Sequence, residues 1–256
     1  MAGHSHSSNI KFRKDRVDAK RAVAFAKLSR MITVAARQGG GSLDGNAKLR
    51  LCVEKARVLS MSKDAIDRAI KKGTGEGDLG NYEEVVYEGY GPGGVAVMLE
   101  ILTDNRHRTA GDVRPLFEKY GGNLAANGAV GWMFDRKGRF VVPAVGAEGE
   151  TEWTEERLLE VVLEVGADDL LADGDAFLIL CAPPSFAGVK QALDRLGVPL
   201  RGAELAYLPN QRTVVSDPAL ALRVVKLIDA LEDHDDVQSV YSNEEFTDAV
   251  AKALEV

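Results

Sequence analysis

The run YEEVVYEGYGPGGVAVMLEIL, residues 82–102, decides how the chain is read. Gly89, Gly91 and Gly94 satisfy the spacing G-x-G-x-x-G. In a dinucleotide-binding turn those glycines lead straight into a helix, whose N-terminus meets the pyrophosphate. Here they lead into Val95-Ala96-Val97-Met98-Leu99, an apolar run with the character of a strand. Residues 82–88 and 95–102 therefore read as two strands joined by a glycine-rich hairpin connection, and a dinucleotide site is excluded.

Downstream, the spacing predicts a helix over about 106–120, closed by Gly121-Gly122, and a strand over 129–134. A second alternation follows: strand 139–143, helix 154–165, strands 168–171 and 176–181, helix 185–196 and a strand near 204–208. That order, β-α-β-β-α-β, is the split arrangement of ferredoxin-like folds. The tail adds a strand-like run at 212–215, a helix over 218–231 and a strand over 237–241, which could complete the sheet begun at residue 82. The expected class is α+β, an N-terminal three-helix domain followed by two ferredoxin-like α+β domains, the last inserted in the middle one. The boundaries are 1–75 for the helical domain, 82–136 plus 205–247 for the discontinuous one, and 137–204 for the insertion.

Upstream, the pattern is helical. Residues 18–37 place Phe25, Leu28, Ile32 and Ala35 on one stripe, with Lys20, Lys27, Arg30 and Arg37 on another face. Gly39-Gly40-Gly41 stops this helix. A second helix, near 47–59, turns Leu49, Cys52, Val53 and Ala56 inward, flanked by Lys48, Arg50, Lys55 and Arg57. A third starts after Ser62, buries Ile66, Ala69 and Ile70, and ends at Lys71-Lys72-Gly73, where cations suit the negative end of the dipole. Residues 73–81 read as a polar linker. Three short helices with narrow apolar stripes form a thin bundle that depends on its neighbours.

The net charge of −7 averages two opposite regions. Residues 1–75 hold 17 Lys and Arg against 6 Asp and Glu, a net of +11, and the remainder carries −18. An acidic body repels a phosphate backbone while a basic head attracts it, so contact is oriented and salt-dependent. The cations placed to neutralise phosphates are Lys11, Arg13, Lys14, Lys20, Arg21, Lys27, Arg30 and Arg37. Arg106 and Arg108 join them, because cations beside a helix N-terminus oppose its dipole and suit an anion there. In the same segment Asp104 or Asn105 reads as the helix cap. The basic region offers few aromatics, Phe12 and Phe25, and no evident base-reading helix, so backbone and shape recognition is expected. The expected partner is a nucleic acid, and the charge pattern does not say which.

No nucleophile motif, phosphate-binding loop or metal-ligand spacing occurs. His4, His6, His107 and His234 are scattered, and Cys52 and Cys181 read as reduced core residues. No apolar run reaches membrane-spanning length, and the polar start runs straight into cations without an apolar stretch. A cytoplasmic, non-enzymatic protein is expected, with no cofactor, no membrane partner and no small-molecule substrate. Two competing classes are an adaptor whose basic head binds an acidic protein, and a hydrolase or transferase built on Asp104 and Arg106.

Several motifs resemble the YebC family. They are Met1-Ala2-Gly3-His4-Ser5 with Asn9-Ile10-Lys11 and Arg13-Lys14, the run Ile32-Thr33-Val34-Ala35-Ala36-Arg37, and Arg68-Ala69-Ile70-Lys71-Lys72-Gly73-Thr74-Gly75. Tyr87 to Val97, Leu102-Thr103-Asp104-Asn105-Arg106, Gly121-Gly122-Asn123-Leu124 and Trp132-Met133-Phe134 before Arg136-Lys137 match as well. The resemblance implies three domains, the third inserted in the second, and a regulator that binds DNA in transcription or acts on the ribosome as a translational activator. Neither role is enzymatic. The chain departs from the family at His6-Ser7-Ser8, where Lys-Trp-Ala is usual, and at Phe12, where His is usual. One cation and one stacking aromatic are lost at the tip.

Overall fold

Asn46 shows how the first part of the chain closes. In the computed structural model, which describes residues 21–75, 81–144 and 153–254, it sits buried between two helices. These are α1 (Arg21–Gly39) and α2 (Ala47–Val58), followed by α3 (Lys63–Thr74). The Asn46 Oδ1 accepts the Leu49 N–H at 3.0 Å and caps α2, while Nδ2 donates to the carbonyls of Ala35 at 2.8 Å and Gly40 at 2.9 Å. One side chain thus satisfies orphan groups at both helix ends. Ser62 caps α3 as expected, accepting from the Ala65 N–H at 3.3 Å. Leu28, Ile32, Ala35, Leu49, Cys52, Val53, Ala56, Ile66 and Ala69 form the core.

Gly73 corrects the sequence reading. The helix does not end there but runs through it to Thr74. A Cβ at Gly73 would lie 2.3 Å from the Thr33 carbonyl oxygen and 2.8 Å from the Ala36 Cβ. The glycine is therefore a packing residue that lets α1 and α3 touch along their backbones.

The 82–102 run forms the expected hairpin. Strands β1 (Glu83–Tyr90) and β2 (Ala96–Thr103) pair antiparallel, with Gly89 opposite Val97. Helix α4 (Arg106–Lys119) and the short β3 (Asn123–Leu124) follow, and β3 pairs with β1. A β-α-β-β-α-β unit comes next: β4 (Phe134–Pro143), α5 (Glu155–Val165), β5 (Asp169–Asp173), β6 (Ala176–Cys181), α6 (Phe186–Arg195) and β7 (Gly202–Pro209). Its sheet order is β5-β6-β4-β7, all antiparallel, over a core containing Phe140, Trp153, Leu158, Ile179, Phe186 and Leu193. The chain then passes through β8 (Thr213–Val215) and α7 (Pro218–Glu232) to β9 (Val237–Ser242), which pairs with β2 and completes the order β3-β1-β2-β9. Leu99, Ile101, Val113, Phe117, Val224, Leu227 and Leu231 fill the space between that sheet and its helices. A short β10 (Glu244–Phe246), parallel to β8, and α8 (Asp248–Leu254) were not expected. The fold is α+β, helices first and sheet-containing units after.

The strand expected over 129–134 is a second correction. Val130 precedes a 3-10 turn, Gly131–Met133, and the strand begins only at Phe134. The cause is Glu88, a buried carboxylate that accepts the backbone N–H groups of Gly128, Val130 and Gly131, each at 2.8 Å. Burial alone would raise its pKa, but those three donors hold it below the ordinary carboxylate range. They also withdraw the segment's N–H groups from any ladder. The polar run 135–138, which falls between the strands expected at 129–134 and 139–143, is strand because β7 pairs along it.

Candidate nucleic-acid interface

Lys11, Arg13, Lys14 and Lys20 lie outside the described residues, and Arg21 opens α1. Lys27 and Arg30, one helical turn apart, both turn toward the segment after α7. The Lys27 ammonium donates to the Glu232 carbonyl. Arg30 Nη1 donates to the Asp235 carbonyl at 3.0 Å and to Asp236 Oδ1 at 2.9 Å, and its guanidinium lies 5.8 Å from the centre of the Tyr82 ring. Arg37 is exposed near the end of α1.

Arg106 and Arg108 are also engaged by carboxylates. Arg106 pairs with Glu83 at 2.5 Å. Arg108 Nη2 reaches Asp104 Oδ1 at 2.8 Å and Asp236 Oδ2 at 3.0 Å. The cap is Asn105, whose Oδ1 accepts the Arg108 N–H at 3.0 Å. Asp236 thus joins the helical head to the sheet behind it: Arg30 takes one oxygen and Arg108 the other, with Thr109 Oγ1 at 2.7 Å and Thr103 Oγ1 at 3.2 Å. Its burial favours the neutral acid, but Thr109 and Arg108 outweigh that and bring its pKa below the usual value.

A different set of cations faces solvent. Arg57 at the end of α2, and Lys63, Arg68, Lys71 and Lys72 on α3, are exposed, and none is paired with another described residue. Sequence reasoning assigned Lys71 and Lys72 to the helix dipole and Arg57 to a flank. Their signal was the spacing: with Ile66, Ala69 and Gly73 buried, positions 63, 68, 71 and 72 all fall on the outer half of α3. That half carries Asp64 and Asp67 but no Asn or Gln.

Between the head and the sheets lies a charged junction. Lys55 donates to Glu204 Oε2 at 2.7 Å, and Arg139 donates to the other oxygen. Burial pushes the Glu204 carboxyl up, but these two cations bring it down to about 2. Lys48 pairs with Glu84, and Lys190 lies 3.7 Å from Glu54. Leu51 packs against the core of the β4–β7 unit. Two clefts open to solvent remain in the junction, of about 700 and about 330 Å³. Met31, Lys55, Ala203, Glu204, Gln238 and Ser239 line both.

Among the described residues no group of His, Cys, Asp or Glu could hold a metal ion, and no helix is long and apolar enough to cross a membrane. Cys52 and Cys181 are buried free thiols, and burial raises the pKa of both.

A basic helical head docked by ion pairs onto antiparallel sheets defines a multi-unit α+β protein. The chain belongs to the TACO1/YebC family: residues 5–76 match the model of the "TACO1/YebC protein N-terminal domain" and residues 82–244 that of the "TACO1/YebC second and third domain". A protein of Rubrobacter xylanophilus named "Probable transcriptional regulatory protein" is 49% identical over 251 residues, 98% of each chain. A protein of the same name from Halothermothrix orenii is 46% identical over 254 residues, 99% of each. The crystal structure of the conserved hypothetical protein Aq1575 from Aquifex aeolicus matches with a TM-score of 0.80 at 45% identity, covering 91% of this chain and 93% of that one.

Proposed function

We propose that the chain is a non-enzymatic, nucleic-acid-binding regulator of gene expression, acting in the cytoplasm without a cofactor and holding its target with the helical head. The observation that carries this reading is the set of exposed cations Arg57, Lys63, Arg68, Lys71 and Lys72 on a segment of net +11, attached to a remainder of net −18. A surface of that kind meets phosphates and repels them everywhere else. The names of the relatives support a regulatory role. Three domains, 1–75, 82–136 plus 205–247, and 137–204, are the organisation that fits the pairing of β9 with β2.

The lack of Asn and Gln on the outer half of α3 favours shape and backbone recognition over base reading, which brings ribosomal RNA forward as a second target beside duplex DNA. Replacing Arg68, Lys71 and Lys72 with Glu should leave the fold intact, since all three are exposed. Binding to DNA duplex or ribosomal RNA should weaken, and the slope of log affinity against log salt should flatten by about one unit for each phosphate no longer neutralised. Unchanged affinity would remove the head from the interface. Co-sedimentation with ribosomes in excess duplex DNA separates the targets: retention makes the protein a translation factor, and release into the DNA-bound fraction makes it a transcriptional one.

A further inference from the structure

We infer that the head carries a second, concealed polyanion-binding face, made by Lys27 and Arg30 on α1 and Lys48 and Lys55 on α2, for which the body's own oxygens and a phosphate backbone compete. The inference rests on the nucleic-acid reading above and deepens it. Each of the four cations is engaged across the junction by an oxygen that stands where a phosphate oxygen would. Lys27 meets the Glu232 carbonyl, Arg30 meets Asp236, Lys48 meets Glu84 and Lys55 meets Glu204. Lys27 and Arg30 are one turn apart, and Lys48 and Lys55 are two turns apart, so each pair shares one side of its helix. The body's carboxylates therefore imitate the ligand, as the opposite net charges of the two regions lead one to expect.

The packing is what allows competition. The head does not close tightly on the body, and the junction holds two clefts open to solvent, of about 700 and about 330 Å³. Leu51 supplies apolar packing, but the Lys48–Glu84 and Lys55–Glu204 pairs have partly exposed side chains, and such pairs are individually weak and screened by salt. A phosphate backbone brings a dense row of charges and releases counterions as it binds, which isolated carboxylates cannot match. Nucleic acid held first by Arg68, Lys71 and Lys72 is thus placed to draw the head off the body and recruit the concealed cations.

The test replaces body carboxylates with their neutral amides in the full chain. Glu84→Gln with Glu204→Gln removes the carboxylates that engage Lys48 and Lys55 without touching the head. Affinity for a fluorescein-labelled random-sequence DNA duplex and for a ribosomal RNA hairpin should rise about tenfold. The salt slope should steepen by about 0.9 for each cation recruited on the duplex. Glu84 is more than half exposed, so Glu84→Gln alone folds normally and should show a smaller rise in the same direction. If both variants match the unaltered chain in affinity and slope while Arg68→Glu with Lys72→Glu weakens binding, concealment is wrong and the nucleic-acid reading stands. If neither the unaltered chain nor the amide variants bind either probe, both readings fall together.

Discussion

The helical head closes on Leu28, Ile32, Leu49, Val53 and Ile66 with four alanines and the bare Cα of Gly73 between them, whereas the two sheets also bury the aromatics Phe117, Phe140, Trp153 and Phe186. The alanines let the helices approach closely but bury little apolar surface apiece, and at about 25 cal/mol per Å² a core of aliphatic and small side chains gains less than one that also buries aromatics. The head makes up part of the difference by leaning on the body through Arg30, Lys55 and Leu51. The region that presents cations to a ligand is therefore also the region least able to stand alone, and its binding and its stability draw on the same side chains.

Three measurements would break or sharpen that contrast. The largest effect is expected in the body. Phe117 is fully buried between sheet and helices, its ring against Gly89, and Phe117→Ala should cost about 3–5 kcal/mol in denaturant unfolding. A loss below about 1 kcal/mol would mean the aromatic core is not what holds that sheet. Next comes Gly73→Ala, which gains helix propensity but drives a methyl group into the Thr33 carbonyl, for a net loss of about 1–3 kcal/mol. Both tryptophans, Trp132 and Trp153, lie in the body. In this variant the helical circular dichroism should fall at lower denaturant than the tryptophan fluorescence. A single shared transition would show that head and body unfold as one unit.

The smallest effect is a pH response. Glu204, faced by Lys55 and Arg139, sits at about 2, below the ordinary glutamate value near 4.3. A depressed carboxyl stabilises the folded junction fully above its unfolded pKa and loses that contribution as pH falls through the folded one. The head should stay docked at neutral pH and loosen between about pH 4 and 2, seen as a rise in the radius of gyration from X-ray scattering. Glu204→Gln should remove that rise, and a transition in the same range in that variant would assign it to other carboxylates.

Much of the fold was legible because periodicity is local. The cap at Ser62, the helix over Pro218–Glu232 and the strand Ala176–Cys181 follow from residues within a few positions of each other. What escaped depended on partners distant in sequence. Residues 129–134 are apolar enough for a strand, but Glu88 takes their N–H groups. Gly73 looks like a stop signal until Thr33 is known to lie against it. The site was legible as a sum of charge and not as an arrangement. Helical spacing puts Lys27 and Arg30 off the apolar stripe, and nothing local reveals that the Glu232–Asp236 segment lies opposite them. The exposed set on α3 was hidden by a different ambiguity, because cations at a helix C-terminus have a sufficient reason to be there without any ligand.

The place of β9 in its sheet has a consequence for how the protein is made. β2 gains its second neighbour only when residues Val237–Ser242 have been synthesised. At about 5–20 residues per second, the wait after Thr103 is on the order of ten seconds. For that time the nascent chain carries a bare strand of Ala96-Val97-Met98-Leu99 beside Ile101-Leu102, the kind of edge that recruits other chains. The β4–β7 unit, whose strands all come from one continuous stretch, can fold during the interval. Each newly made molecule thus passes through a period of exposure, and slow decoding between Thr103 and Val237 lengthens it.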